Sequence, residues 1–124
     1  MDDRPDWNPF RALSRRVLTN DEPLVLSDDV RALLLRTAHE VAIRDAEAAL
    51  STKEGALALM REATRRISEG SNRLTDALHV MWQHQRAGDY DTARKLMRDV
   101  LAEEVVPYYR QLAQGQLDDM ADEP

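Results

Sequence analysis

The side chains that could do chemistry in this sequence are three histidines, two pairs of adjacent carboxylates, a run of arginines and one glutamate set in an apolar stripe. His39, His79 and His84 are the only imidazoles, and the spacing of five between the last two does not place ligands on adjacent helical turns. No acidic residue completes a metal motif with them, so they are expected to be surface or half-buried side chains. Glu103–Glu104 and Asp118–Asp119 are sequence neighbours, which points the members of each pair to different helix faces. A paired-carboxylate acid/base site would need a second helix to bring such groups together. No serine sits in the sharp strand-to-helix turn of a nucleophile elbow. The glycines, Gly55, Gly70, Gly88 and Gly115, are scattered and cradle no phosphate. The absence of cysteine removes disulfides, thiol nucleophiles and thiolate metal sites. The expectation is no catalytic residue, no cofactor and no metal site, in a chain that is not an enzyme.

Arg61, Arg65, Arg66 and Arg73 resemble a nucleic-acid-binding stretch until Glu62, Glu69 and Asp76 are counted between them. Glu62–Arg66 and Glu69–Arg73 have the favoured i,i+4 order, so a solvated, salt-bridged helix face is expected. The net charge of −6 and the pI near 5.0 repel phosphate backbones, and no nucleic-acid partner is expected. Fifteen arginines stand against two lysines, with abundant alanine and leucine and two isoleucines. A GC-rich genome accounts for that bias. The alternative is selection of arginine for its planar fork at carboxylates or phosphates.

Glu104 falls on the inner face of its helix, between Val100–Leu101 and Tyr108. A buried carboxylate needs a partner, and Arg66 or Arg73 on the preceding helix could reach it, a pairing that would fix helix register. The role of Arg110, close by in sequence, is left open.

The elements that must position these groups are helical almost throughout, because apolar residues recur three and four apart. The chain of 124 residues, 43% hydrophobic and 32% charged, reads as one helical domain over 1–124, with an ordered core at about 6–118 and short acidic tails at Met1–Asp6 and Asp118–Pro124. The expected fold is an all-α bundle of four main helices with a long central antiparallel hairpin. Asp6 or Asn8 caps the first helix, Pro9 suits its first turn, and Phe10, Leu13, Val17 and Leu18 line its inner face. Asn20–Pro23 ends it. Ser27 caps the second helix, on which Val30, Leu33, Leu34, Ala38 and Val41 face inward; Ala46–Leu50 reads as a separate short turn.

Ser51 and Glu54 have capping-box spacing, and the apolar alternation from Leu57 through Met60, Thr64, Ile67, Ser71, Leu74 and Leu78 to Met81 predicts one helix over 52–86, about 50 Å long. Ala56, Ala63, Gly70 and Ala77 recur every seventh residue beside that row and allow a neighbouring helix to come close. Gly88 is the expected left-handed stop, Asp89 or Asp91 the next cap, and Pro107 kinks or divides the last long helix. The turn Ala87–Ala93 looks like that of a tetratricopeptide repeat, but no second copy follows at the required period.

Asp6–Trp7 with Arg11–Leu13 and Arg16–Leu18, Val41–Ile43, Arg66–Ile67 with Gly70–Ser71 and Arg73–Leu74, and then Ala87–Asp89, Ala93–Arg94 and Glu104–Arg110 together resemble the DUSAM-domain proteins of myxobacteria over about residues 6–118. That family has no assigned function, so the resemblance implies a helical fold, a myxobacterial source and a cytoplasmic location, and transfers no site residue.

The N-terminus lacks a basic start followed by an apolar run, and Ala32–Leu35 is far too short to span a membrane, so a soluble cytoplasmic protein is expected. The leading functional expectation is a non-enzymatic protein–protein interaction or regulatory module with an unidentified protein partner. Long apolar helix faces leave room for a homodimer. The alternative is a small-ligand sensor with a pocket near Trp82, Tyr90 and Tyr108, and an enzyme comes third.

Overall fold

A computed structural model describes residues 4–124. It is all-α, a helical bundle with no strand among the described residues. The helices are α1 (Asn8–Ser14), continued by a π-helical turn at Arg15–Thr19, α2 (Asp28–Glu40), α3 (Ala46–Ala49), α4 (Lys53–Arg86), α5 (Tyr90–Glu103) and α6 (Pro107–Asp119). The contacts group into two compact units, residues 1–67 and 68–124, and α4 contributes its first part to one and its second to the other. Of the expected acidic tails, Met1–Asp3 lie outside the described residues. At the other end α6 continues through Asp118 and Asp119, and Met120 is buried, so the ordered chain extends beyond residue 118.

In the first unit, Asp6 Oδ1 accepts from the Asn8 amide at 3.1 Å, satisfying a free donor at the start of α1. Trp7, just before α1, is buried, and its indole Nε1 donates to Glu40 Oε1 at 3.2 Å. Phe10, Leu13 and Val17 are buried, as their spacing predicts. The π-helical turn was not legible from that spacing: it shows in the Asn20 amide bonding the Arg15 carbonyl, five residues back. Ser27 Oγ caps α2 by accepting from the Val30 amide, and Asp28 and Asp29 favour its positive end. Leu34, Thr37, Ala38 and Val41 are buried; Thr37 stays inside because its hydroxyl donates to the Leu33 carbonyl. Ala42 and Asp45 then adopt φ of 63° and 60°, which breaks the helix where the apolar pattern loosens.

In place of the expected Ser51–Glu54 capping box a single cap forms one residue on. Thr52 Oγ1 accepts from the Gly55 amide at 3.0 Å, whereas Ser51 Oγ donates back to the Ala48 carbonyl. From Lys53 the helix runs unbroken for 34 residues, through Gly70. Its buried seam keeps Met60, Ile67, Leu74 and Met81 as expected, but the alternate positions move back by one residue, to Ala56, Ala63 and Gly70. Ala56, Met60, Ala63, Ile67, Gly70, Leu74 and Met81 are buried, while Leu57, Thr64, Ser71 and Leu78 are only half-buried. Small and large residues alternate along the centre of the seam, so close helix approach and apolar burial occur on the same line.

The second unit is a hairpin with a third helix returning alongside. Gly88 has φ of 79°, the left-handed stop that only glycine adopts freely, and Asp89 Oδ1 caps α5 through the Thr92 amide. Arg73, fifteen residues before Gly88, meets Glu104, sixteen after it, as an antiparallel pair of helices requires. Of the two outcomes expected at Pro107, a kink or a division, the structure shows the division, into α5 and α6. The amide-less Pro107 stands at the first position of α6, where no donor is needed.

Candidate functional site

The densest polar cluster lies at the joint between α5 and α6, in the second unit. The apolar stripe of α5 (Ala93, Met97, Val100) would continue inward at Glu104, and the structure buries Glu104 to 3% exposure. Its carboxylate is fully engaged. Oε1 receives Arg73 Nη1 at 2.9 Å, and Oε2 receives the Val106 amide at 2.9 Å and the Val105 amide at 3.1 Å. One side chain therefore satisfies two backbone donors in the break between the helices and pins that break to α4. Arg73 also faces the exposed Glu103 carboxylate at 3.4 Å.

Gly70 makes room for this arrangement. A Cβ there would collide with the Tyr109 ring and lie 2.9 Å from Glu104 Oε1. Of the small residues expected at a close crossing, Gly70 is the one at which the structure demands a missing side chain; Ala63 is buried and Ala77 half-buried. Of the two arginines expected to hold Glu104, Arg73 does so. Arg66 pairs with Glu62 at 2.7 Å and donates to the Val41 and Ala42 carbonyls at 2.9 and 3.0 Å, in the first unit.

Arg110, whose role the sequence left open, donates from Nη1 to the carbonyls of Leu101 and Glu104, at the end of α5. Arg94 does the same for α6, through the Met120 and Glu123 carbonyls, and Arg31 for α3, through the Leu50 carbonyl. The last carbonyls of a helix have no partner within it and carry its negative end, so a cationic fork satisfies them twice over. This use of arginine has no sequence signal, because the target is backbone.

The remaining chemistry-bearing residues do not converge. His39 and His79 are exposed; His79 stands 3.4 Å from Gln83, and His84 Nδ1 lies 3.2 Å from Asp89 Oδ2. The Thr92 hydrogen bonds, and secondarily His84, hold the Asp89 carboxyl below its usual value. Arg65 and Arg66 together lower the Glu62 carboxyl to about 2. Among the described residues no three His, Asp or Glu side chains group as a metal would require. No helix among the described residues is long and apolar enough to cross a membrane.

Sequence reasoning missed a groove in the first unit. Pro9, Ala12, Leu13, Val30 and Leu33 form its floor, between α1 and α2, and Arg15, Arg16 and Asp29 its charged lip, around a volume of about 520 Å³. Arg15 and Arg16 open the π-helical turn, a rare geometry that often marks functional positions. Trp82, expected beside a pocket with Tyr90 and Tyr108, is 47% exposed on α4, and the two tyrosines are half-buried in the second unit.

No curated protein and no solved structure matches the chain. A family model described as "Protein of unknown function (DUF2379)" matches residues 5–120, nearly the whole chain. The chain, with its carboxylate-locked helix joint and its open groove, belongs to the DUF2379 family, whose function is unknown.

Proposed function

We propose that this protein is a non-enzymatic interaction or regulatory module and that the groove of the first unit is its docking surface. The observation that carries this reading is the open apolar floor of that groove. Pro9 and Ala12 are exposed and Val30 and Leu33 half-buried, in a unit whose other large apolar side chains are mostly covered. Apolar residues from two helices lining one open groove suit an amphipathic helix laid into it. The non-enzymatic part of the reading is supported by the use of the interior charges. Both oxygens of Glu104 are committed to Arg73 and to backbone amides, and Arg31, Arg66, Arg94 and Arg110 to helix ends. The finer assignment to the myxobacterial DUSAM proteins rests on the residue pattern of Asp6–Leu18 and Glu104–Arg110, and a cytoplasmic location and the lack of a nucleic-acid partner on the sequence and its net charge.

The alternative, a small-ligand sensor, draws support from the groove's volume, which falls in the range of ligand pockets. The test is a photo-crosslinking side chain placed at Ala12 on the groove floor, with the same group at Thr75, exposed on α4, as control. Irradiation in cells should give a discrete protein adduct from position 12 that Leu33→Arg removes. Adducts at both positions, or at neither, would overturn the docking reading.

A further inference from the structure

We propose that the groove joins copies of this chain, and that its occupant is the exposed face of α6 on a second copy. The inference rests on the groove being a protein-docking surface and names what docks. The α6 face offers the apolar complement. Leu112 is 40% exposed and the half-buried Tyr108 precedes it by one helical turn, with Val105, 50% exposed, in the break just before the helix. Few large apolar side chains of this chain stand so far out in water, and the groove floor of Ala12, Val30 and Leu33 is apolar in return.

Charge points the same way. The stretch Asn8–Thr19 carries Arg11, Arg15 and Arg16 and no acid, and Arg11 and Arg15 make no ion pair among the described residues. Asp29 is the acid on the groove's lip. Residues 68–124 hold eleven of the acidic residues against six basic ones, and Asp118, Asp119, Asp122 and Glu123 gather at the end of α6. Asp119 lies seven residues beyond Leu112, on the same helix face, so an α6 that seats Leu112 on the floor carries its carboxylates toward one end of the groove. Opposite charges then fix the direction in which the helix lies and speed encounter. Each copy has one groove and one α6, and a pair of copies that exchanges both contacts is the smallest closed assembly that uses them.

Sedimentation velocity over a range of protein concentrations, at about 50 mM and about 500 mM NaCl, tests this. The expected result is a reversible dimer whose dissociation constant rises several-fold with salt. Arg15→Glu with Arg16→Glu should weaken it at least tenfold, as should Asp118→Lys with Asp119→Lys. The two pairs of changes combined should restore most of the loss, a rescue that damage to the fold cannot produce. Leu112→Glu, at an exposed site, should leave circular dichroism unchanged and abolish the dimer. A monomer at every concentration overturns the inference, as does a dimer indifferent to Leu112→Glu or a charge swap without rescue. If the protein is monomeric while Ala12 crosslinks to a different protein, the docking reading stands and this inference fails; if neither is seen, both fail.

Discussion

In the second unit the break between α5 and α6 is closed from inside, by the buried carboxylate of Glu104, whereas in the first the end of α2 is held from outside, by Arg66 laid over the Val41 and Ala42 carbonyls. The physical demand is the same in both places: helix ends leave backbone groups unpaired, and near a core those groups need partners. The carboxylate serves donors and is itself charged, so it brings a second requirement, Arg73, and through Arg73 a fixed position on α4. The arginine serves acceptors while its own stem and part of its fork remain near water, so it brings no such requirement. Breaking the first device therefore strands a buried charge, whereas breaking the second loses hydrogen bonds and leaves the part-exposed Glu62 to Arg65.

The largest effect is expected at Glu104. Glu104→Ala leaves Arg73 without its buried partner and two amides without an acceptor, and should destabilise by about 3 kcal/mol in urea unfolding. Glu103→Ala, whose side chain is 73% exposed, should cost under about 0.5 kcal/mol. Equal unfolding midpoints for the two variants would remove the distinction between the units.

The glycines sharpen it next. Gly70→Ala places a methyl against Tyr109 and the Glu104 carboxylate, and overpacking of about 2 kcal/mol should outweigh the gain of about 1 kcal/mol that alanine brings to a helix. Gly115→Ala, in α6 with open space around it, should show that gain undisguised, as a rise in melting temperature. Stabilisation by both substitutions would mean that Tyr109 moves aside without cost. In the first unit Gly55→Ala meets the Ala49 carbonyl oxygen, a backbone atom that cannot rotate away, and destabilisation is expected there too.

These contrasts explain what was legible in the sequence. Glu104 stood out because a charged residue interrupts an apolar row, and reach narrowed its partner to Arg66 or Arg73, between which only the structure decides. The 34-residue α4, the Gly88 stop and the Ser27 cap are local signals, set by residues within a turn of one another. Every second position of the α4 seam was off by one, Ala56, Ala63 and Gly70 in place of Leu57, Thr64 and Ser71, because alanine and glycine register weakly in a hydrophobic pattern. The arginines at helix ends left no trace, since their partners are carbonyls that every residue has. The groove was equally silent: Ala12 and Leu33 are ordinary helix residues until α1 and α2 are placed side by side.

The outside device should fail more gently. Arg66→Lys keeps the charge, but one ammonium cannot serve Glu62 and the carbonyls at the end of α2 together, as Nε and Nη1 of the arginine do. The change should cost about 1 kcal/mol, half or less of the Glu104→Ala loss. A cost matching that of Glu104→Ala would show that both units depend on their charges to the same degree.

The smallest effect separates the units by pH. Glu62 sits between Arg65 at 2.6 Å and Arg66 at 2.7 Å, and their hydrogen bonds lower its carboxyl from 4.5 to about 2. Because the folded value is the depressed one, the unfolded chain binds the proton first on acidification. The contribution is therefore complete above pH 4.5 and is lost as pH falls toward 2. With a third of the Glu62 side chain exposed, solvent screening holds that contribution to about 0.5 kcal/mol, well below what the shift alone would give. Wild type and Glu62→Gln compared by urea unfolding at neutral pH should differ by that amount, and the difference should vanish near pH 2. Molar salt at neutral pH should shrink it as well, since the pair lies at the surface. A difference that survives acid would place the effect of Glu62 in its packing against Arg66 rather than in its charge, and the arginine over α2 would then be held in place by contact alone.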